Sequence, residues 1–321
     1  MVSMKDIANR LSISRCTVSN IINNRLDGKS YRKETIDLVL QTAKEMGYVS
    51  NSMARALKTG QTGTIAIVVP DLSNTFYIKI IKEVERRANE CGYSLIICMA
   101  EEILEKENAA LTMLQSRCVD GVLISPVSYD NSLITSFPYR IVCFDRSVKD
   151  KNFCSVRIDN YNAGRQLTEA IIQDGAKRPL FVCGSKQDYT VVRRYNGLCD
   201  VLLENHCCLD ENNLLANVYD ETAAYDSVIQ AIDSGIEFDS ILLSTNYVIY
   251  GVLRALRERA HNTLSIGGFE TFSGMEFCKG DFRLHVLEQP EQEMGRVAFE
   301  KLLALLKGET VESEILPTQI V

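Results

Sequence analysis

The chain has 321 residues, of which 46% are hydrophobic and 24% charged, with 35 Lys+Arg against 42 Asp+Glu and a net charge of −7. This length suits two or three domains with real cores, and the composition excludes a disordered chain. Apolar runs stay well short of the roughly 18 residues that span a membrane. Asp6 and Asn9 interrupt the opening where a secretion signal would lie. We therefore expect a cytoplasmic protein with no membrane partner.

The eleven cysteines and three histidines predict neither disulfides nor a metal site. The cysteines are odd in number, scattered and without a Cys-x-x-Cys pair, and the histidines have no metal-ligand spacing. The chain also has no Gly-x-Ser-x-Gly, no phosphate-binding Gly-x-x-x-x-Gly-Lys and no Gly-x-Gly-x-x-Gly motif. We therefore expect no cofactor and no enzymatic activity.

Charge is distributed unevenly along the chain. The first 60 residues carry 10 Lys+Arg and 5 Asp+Glu, a net charge of +5, which leaves −12 for the remainder. A basic head on an acidic body indicates a nucleic-acid-binding module attached to a domain of another kind.

The basic head has the pattern of three short helices. Ser3 and Asp6 form a capping box before the first helix, Ser14 can cap the second, and Gly47 ends the third. Two short helices joined by a tight turn are a helix-turn-helix, whose second helix places its N-terminal residues on base edges in the major groove. An ordinary small helical bundle is the alternative. The positive charge and the hydroxyl-rich second helix favour DNA binding.

Residues 4–8, 14–23 and 44–48 resemble the headpiece of the LacI/GalR bacterial transcription regulators, and the similarity continues through 51–60, which in that family is a hinge helix that folds on the operator. The resemblance implies DNA-binding residues in the second helix and the hinge: Ser14, Arg15, Cys16, Thr17, Ser19, Asn20, Asn23, Ala54, Arg55, Leu57 and Lys58. The chain departs from the family at Asn20, where an arginine is usual, at Ser50, where proline is common, and at Arg32, where a small cap is usual. These departures concern the operator sequence and the hinge.

Beyond residue 62, apolar strands alternate with amphipathic helices. The predicted strands cover residues 65–69, 93–98, 121–125, 140–144, 180–183, 240–243 and 264–267. Continuous apolar strands between amphipathic helices predict doubly wound parallel α/β sheets with helices on both faces. The predicted organisation is a helix-turn-helix headpiece at 1–49, a hinge helix and linker at 50–61, and a two-lobed effector-binding and dimerisation domain at 62–321. Its first lobe takes about 62–160 and 291–308, and its second about 161–290 and 309–321.

The body also resembles the LacI/GalR effector domain, which shares the periplasmic sugar-binding-protein fold. The similar runs are 69–74, 119–122, 142–146, 158–160, 195–197, 251–256 and 266–270. The resemblance therefore covers nearly the whole chain. It implies a transcriptional regulator, in the first place a repressor, that binds a pseudo-palindromic double-stranded DNA operator as a homodimer. A small-molecule effector bound between the lobes would control it.

Ligands of open α/β sheets bind beyond the carboxyl ends of the strands. The side chains expected there can hydrogen-bond or cover a sugar-like ligand: Phe76, Tyr77, Asp145, Arg146, Asp188, Thr190, Arg194, Tyr219, Asn246 and Glu270. Asp145, Arg194, Asn246 and Glu270 fall where sugar-responsive family members carry Asp, Arg, Asn and Asp, which favours a sugar or sugar-like effector. Purine-responsive members share some of these positions, and Tyr247 stands where another Asp is usual.

Three other functions remain open from the sequence. The body alone is compatible with a solute-binding protein that has no DNA activity, and turnover of a cleft ligand would indicate an enzyme. A regulator of the same fold could also be controlled by a protein co-regulator instead of a small molecule.

Overall fold

The computed structural model describes residues 2–22, 31–48, 60–138, 140–186, 188–207, 210–261, 263–278 and 280–321. The chain forms two compact units, Met1–Thr62 and Gly63–Val321. Most of the predicted hinge lies outside the described residues, and so do the predicted DNA-binding residues Asn23, Ala54, Arg55, Leu57 and Lys58.

The first unit contains the three predicted helices, α1 (Met4–Leu11), α2 (Arg15–Ile22) and α3 (Lys33–Glu45). The capping box at the start of α1 is present, because Ser3 accepts from the Asp6 amide while the Asp6 side chain accepts from the Ser3 amide. The Ser14 hydroxyl accepts from the Thr17 amide at 2.9 Å and so caps α2. Ile7, Val18 and Val39, one from each helix, are fully buried and form the centre of a small apolar core.

The second unit has two lobes, each built on a six-stranded sheet. The first sheet has the order β11-β5-β4-β3-β1-β2 and is parallel throughout. Its strands are β1 (Thr64–Val69), β2 (Ser94–Met99), β3 (Gly121–Ile124), β4 (Arg140–Phe144), β5 (Ser155–Ile158) and β11 (Glu314–Leu316), and its helices are α4 (Thr75–Glu90), α5 (Leu104–Ser116), α6 (Ser132–Ser136) and α11 (Glu291–Leu306). Alternate residues of β1 enter separate cores, Ile65 and Ile67 on one face and Ala66 and Val68 on the other. The sheet is therefore covered on both faces.

The second sheet has the order β12-β10-β9-β8-β6-β7 and is parallel except for β12, which runs antiparallel to β10. Its strands are β6 (Pro179–Val182), β7 (Leu214–Leu215), β8 (Ser240–Leu243), β9 (Ser265–Phe269), β10 (Arg283–Glu288) and β12 (Gln319–Ile320). Its helices are α7 (Asn160–Gln173), α8 (Tyr189–Glu204), α9 (Glu221–Asp233) and α10 (Ile249–Glu258), with short 3-10 turns at Glu211–Asn213 and Met275–Cys278.

The chain passes between the lobes three times, after β5, after β10 and between β11 and β12. The last crossing corrects one expected boundary. The sequence predicts that residues 309–321 belong entirely to the second lobe, but β11 pairs with β5 in the first sheet and only β12 joins β10 in the second. Two short strands on either side of a crossing give no sequence signal of the sheet that each one joins. Within the described residues, no helix is long and apolar enough to cross a membrane.

Candidate functional site

The exposed residues of α2 lie at its N-terminal end. Val18 and Ile21 face the core, whereas Arg15 and Cys16 are exposed to solvent. Ser14 and Thr17 are hydrogen-bonded to each other at 2.9 Å, and the Asn20 side-chain amide donates to the Tyr31 hydroxyl at 3.0 Å. Arg15 and Cys16 are thus the most accessible of the predicted DNA-contacting residues in this helix.

The carboxyl edge of the first sheet brings together Tyr77, Ser125 and Asp145. The Tyr77 hydroxyl donates to Asp145 Oδ2 at 2.8 Å, and the Ser125 hydroxyl donates to the same oxygen at 3.3 Å. Asp145 follows β4 with a φ of 60°, in the left-handed region that non-glycine residues rarely adopt. Burial raises the pKa of Asp145, while the positive charges of Arg146 and Arg194 oppose that rise.

Arg146 joins the two lobes across the cleft. Its Nη1 and Nη2 atoms each donate to one oxygen of Glu102 in the first lobe, both at 2.8 Å, and Nη2 lies 3.1 Å from Oδ2 of Asp188 in the second. Asp188 also caps α8, accepting from the amides of Thr190 and Val191 at 2.7 and 3.3 Å. Burial acts to raise the pKa of Asp188, but Arg146 and the Thr190 hydrogen bonds outweigh it and the pKa is lowered. Asp188 is thus held as a carboxylate.

A second contact between the lobes stacks two aromatic rings. Tyr129, in the segment after β3, lies parallel to Tyr189 at the start of α8, with ring centroids 4.8 Å apart and an interplanar angle of 3°. Both inter-lobe contacts therefore involve the first turn of α8 or its cap.

We expect the variant Tyr129→Leu to lose about 1 kcal/mol of unfolding free energy, because leucine keeps apolar area but not the ring contact. Urea unfolding of Tyr129→Leu, Tyr189→Leu and the double variant measures the coupling between the two rings. Additive losses in the double variant would show that the stack contributes nothing to holding the lobes together.

The second lobe contributes Arg194 from α8. Its Nε donates to Asn160 Oδ1 at 2.7 Å, its Nη1 donates to the Ser244 carbonyl, and its guanidinium carbon lies 3.5 Å from the centroid of the Phe269 ring. Arg194 is only 6% exposed. Burial lowers its pKa, and the nearby carboxylates of Glu270 and Asp145 oppose that effect.

Glu270 occupies the position in the second lobe that Asp145 occupies in the first. It follows β9 with a φ of 62°, and its amide donates to the Leu287 carbonyl on the neighbouring strand at 2.9 Å. Its Oε1 accepts from the Gln289 side-chain amide, whereas Glu270 Oε2 and Gln289 Oε1 are buried and find no hydrogen-bond partner among the described residues. Burial raises the pKa of Glu270 to about 7, although Arg194 and Gln289 act to lower it.

Residues 62–319 match the family model described as periplasmic binding proteins and sugar binding domain of LacI family. The chain belongs to the LacI family. It is 30% identical over 319 residues to the HTH-type transcriptional regulator RegA of Clostridium saccharobutylicum, an alignment that covers 97% of this chain and 94% of RegA. Among solved structures, the lac repressor dimer bound to operator and the anti-inducer ONPF has a TM-score of 0.85 at 19% identity, covering 100% of this chain and 97% of that one. A CelR–cellobiose complex has a TM-score of 0.72 at 22% identity, with coverage of 100% and 98%.

These relatives confirm the predicted fold, a helix-turn-helix headpiece with two parallel α/β lobes, and the predicted family. This LacI-family protein is a DNA-binding transcriptional regulator. The curated relatives match it along almost their whole length, which disfavours the solute-binding protein considered from the sequence.

The remaining predicted effector residues of this LacI-family regulator differ in their exposure and in the groups that they contact. Phe76 is 3% exposed, belongs to the core of the first lobe and packs edge-to-face on Tyr77. Thr190 hydrogen-bonds Asp188 through its amide and hydroxyl, and Asn246 donates to the Thr271 carbonyl at 3.2 Å. Tyr219 is half exposed.

Four residues that hydrogen-bond to the predicted effector residues were not predicted from the sequence: Glu102, Ser125, Asn160 and Gln289. Ser125 directly follows β3, so the rule that identified Asp145 could have found it. Asn160 and Gln289 lie at two of the inter-lobe crossings, where the chain passes the cleft. No sequence signal marks Glu102. No group of three His, Cys, Asp or Glu side chains in the part of the chain that the structure describes is placed to hold a metal ion.

Proposed function

We propose that this regulator binds a pseudo-palindromic operator as a homodimer and that a small, sugar-like effector between its lobes controls that binding. The observation that carries the proposal is the convergence of hydrogen-bonding side chains from both lobes. Asp145 and Arg146 come from the first lobe and Asp188, Arg194 and Glu270 from the second, and Asp145 interacts electrostatically with each of the other four. Two lobes with such residues on facing edges suit a ligand that changes lobe closure.

The DNA-binding role rests on α2. Arg15 and Cys16 are exposed at its N-terminal end, which is the part of a recognition helix that contacts base edges. The proposed DNA surface also includes Thr17, Ser19 and Asn20 and the hinge residues Ala54, Arg55, Leu57 and Lys58. An inserted Leu57 side chain would open a central base step from the minor groove.

Dimerisation follows from the operator and from exposed apolar surface. One headpiece reads half a site, so a two-fold operator requires a two-fold protein. In the second lobe, Tyr250, Phe272 and Phe277 line a surface groove of about 370 Å³, and Phe277 is 82% exposed. In the first lobe, the edge strand β2 exposes Ile97 and Met99. Exposed apolar groups of this kind mark association surfaces, and we assign them to the partner copy.

A sugar-like effector fits the chemistry of the cleft. Carboxylates accept hydroxyl donors, and guanidinium and amide groups donate to ring and hydroxyl oxygens. The complex of CelR with cellobiose is an example of a protein of this fold with a sugar ligand. Tyr219 and Tyr247 would cover an apolar sugar face.

Operator binding should depend steeply on salt, because neutralising phosphates releases counterions. We expect Arg15→Ala to weaken operator binding at least about tenfold, since a base-edge contact contributes roughly 1–3 kcal/mol. The measurement is fluorescence anisotropy of an operator fragment, selected with the full-length protein, across a salt series. Lys307→Ala, an exposed substitution in the body, is the matched control. Salt-independent binding, or equal losses in the two variants, would contradict the assignment of DNA binding to α2.

A further inference from the structure

The cleft is richer in acidic than in basic groups. Asp145, Asp188, Glu102 and Glu270 are gathered around two guanidinium groups, Arg146 and Arg194. Fully ionised, these six side chains sum to a negative charge. A ligand that brings another negative charge into this partly buried space is opposed by like-charge repulsion in a medium less polarisable than water.

Two of the three nitrogen atoms of each guanidinium group are already engaged, whereas Arg146 Nε is buried and has no hydrogen-bond partner among the described residues. Arg146 donates to both oxygens of Glu102 and contacts Asp188, so its charge is balanced by two carboxylates. Arg194 donates to Asn160 and to the Ser244 carbonyl and lies on the face of Phe269. A phosphate or carboxylate ligand would have to displace these contacts, because recognition of such anions uses an available guanidinium fork.

Several helix N-termini, the other common anion-binding groups, are occupied as well. The first amides of α4, α8 and α9 are taken by the side chains of Asn74, Asp188 and Asp220. Among the described helices of the two lobes, α5, α10 and α11 begin without a side-chain cap. Phosphorylated probes test whether one of these ends takes an anion.

Two buried acceptor atoms still require donors. Glu270 and Gln289 are 6% and 4% exposed, and Glu270 Oε2 and Gln289 Oε1 lack hydrogen-bond partners within the described part of the chain. A buried acceptor without a donor costs free energy, because it has given up its hydrogen bonds to water and gained none in return. A ligand that supplies donors to these two oxygens recovers that free energy, whereas one that presents only acceptors does not.

From these observations, and resting on the proposed effector site, we infer that the effector is an uncharged or amine-bearing polyol, with two neighbouring hydrogen-bond donors that reach Glu270 and Gln289, and that phosphorylated and acidic sugars are rejected. Hydroxyl pairs of a sugar, or a hydroxyl beside an ammonium group of an amino sugar, meet this requirement. The preference comes from the engaged arginines and the unpaired acceptors together.

Matched probes that differ only in charge test the inference on the full-length protein. Calorimetric titration and thermal shift compare glucose, glucosamine, glucose 6-phosphate and gluconate, and likewise ribose, ribose 5-phosphate and a panel of neutral disaccharides, each up to millimolar concentration. We expect binding only among the neutral and amine-bearing probes, with the phosphorylated or acidic counterpart at least about tenfold weaker. Preferential binding of a phosphate or carboxylate probe, or no binding by any neutral or amine-bearing probe, overturns the inference.

A site variant and a parallel operator measurement separate the inference from the proposed function. Glu270→Gln should weaken a bound neutral probe at least about tenfold, since it replaces the ionised acceptor, whereas Glu309→Gln in an exposed loop should not. Equal affinities in the two variants would overturn the assignment to Glu270. If a neutral probe binds as expected but leaves operator affinity unchanged, the ligand class stands and effector control fails. If an anionic probe binds preferentially and changes operator affinity, effector control stands and the ligand class fails.

Discussion

The substitution Gly197→Ala is expected to destabilise the body of this regulator by about 3 kcal/mol, the upper range for overpacking a close contact. A Cβ atom at Gly197 would lie 2.2 Å from the Tyr161 carbonyl oxygen and 2.9 Å from the Arg165 amide nitrogen. These are backbone atoms of α7, so no side-chain rotation relieves the clash and the two helices must separate. In a helix, alanine is otherwise more favourable than glycine by nearly 1 kcal/mol. The clash of the added Cβ atom must therefore outweigh this gain for the substitution to destabilise the protein.

The same separation should weaken effector binding, because α7 and α8 carry the hydrogen-bonded pair Asn160 and Arg194. The two measurements are guanidinium unfolding of the body and calorimetric titration of a bound probe. Gly295→Ala is the graded control, since its Cβ would meet the Ile80 carbonyl at 3.0 Å and the neighbour has to give only slightly. A Gly197→Ala protein as stable as wild type, or less affected than Gly295→Ala, would show that the helix contact is looser than the structure has it.

Most strands were predictable because they are buried on both faces. Residues 65–69 and 140–144 are continuous apolar runs, and they form β1 and β4. β10 was missed because polar residues interrupt its apolar run, with Arg283 and Glu288 exposed at its ends and only Val286 and Leu287 buried. β7 has two residues, and its pairing with β6 depends on the fold and not on local preference.

The candidate site was predictable to the extent that it follows strand ends. Asp145, Arg146 and Glu270 each directly follow a strand of a parallel sheet, and the rule for such sheets identifies them. Their partners were not predictable. Glu102 meets Arg146, and Gln289 meets Glu270, only because the three-dimensional arrangement places distant loops together. Phe76 and Tyr77 follow β1 less directly, in the first turn of α4, and both are buried in the core of the first lobe.

Glu270→Gln is expected to stabilise the ligand-free protein by about 3 kcal/mol at about pH 8 and by little at about pH 5. The pKa of Glu270 is about 7 in the folded protein against an ordinary value of 4.5, because burial disfavours the carboxylate. The folded state therefore binds the proton more tightly than the unfolded chain. Its contribution to stability is fully present below about pH 4.5 and is lost as the pH rises to about 7. Glutamine carries no charge in either state, so the variant avoids this loss.

The groups that face Glu270 determine how large the effect is. Arg194 and Gln289 favour the carboxylate, whereas Asp145 and Glu291 disfavour it, and the net result is a raised pKa. Urea unfolding at several pH values between about 5 and 8 gives the difference between wild type and Glu270→Gln, with Glu309→Gln as the exposed control. A difference that does not change with pH would show that Glu270 ionises normally in the folded state.

Ligand binding should lower the pKa of Glu270, whereas burial raises it, because hydrogen-bond donors supplied by the ligand favour the carboxylate. Affinity for a neutral probe should then rise about tenfold from about pH 6 to about pH 8 in wild type and stay constant in Glu270→Gln.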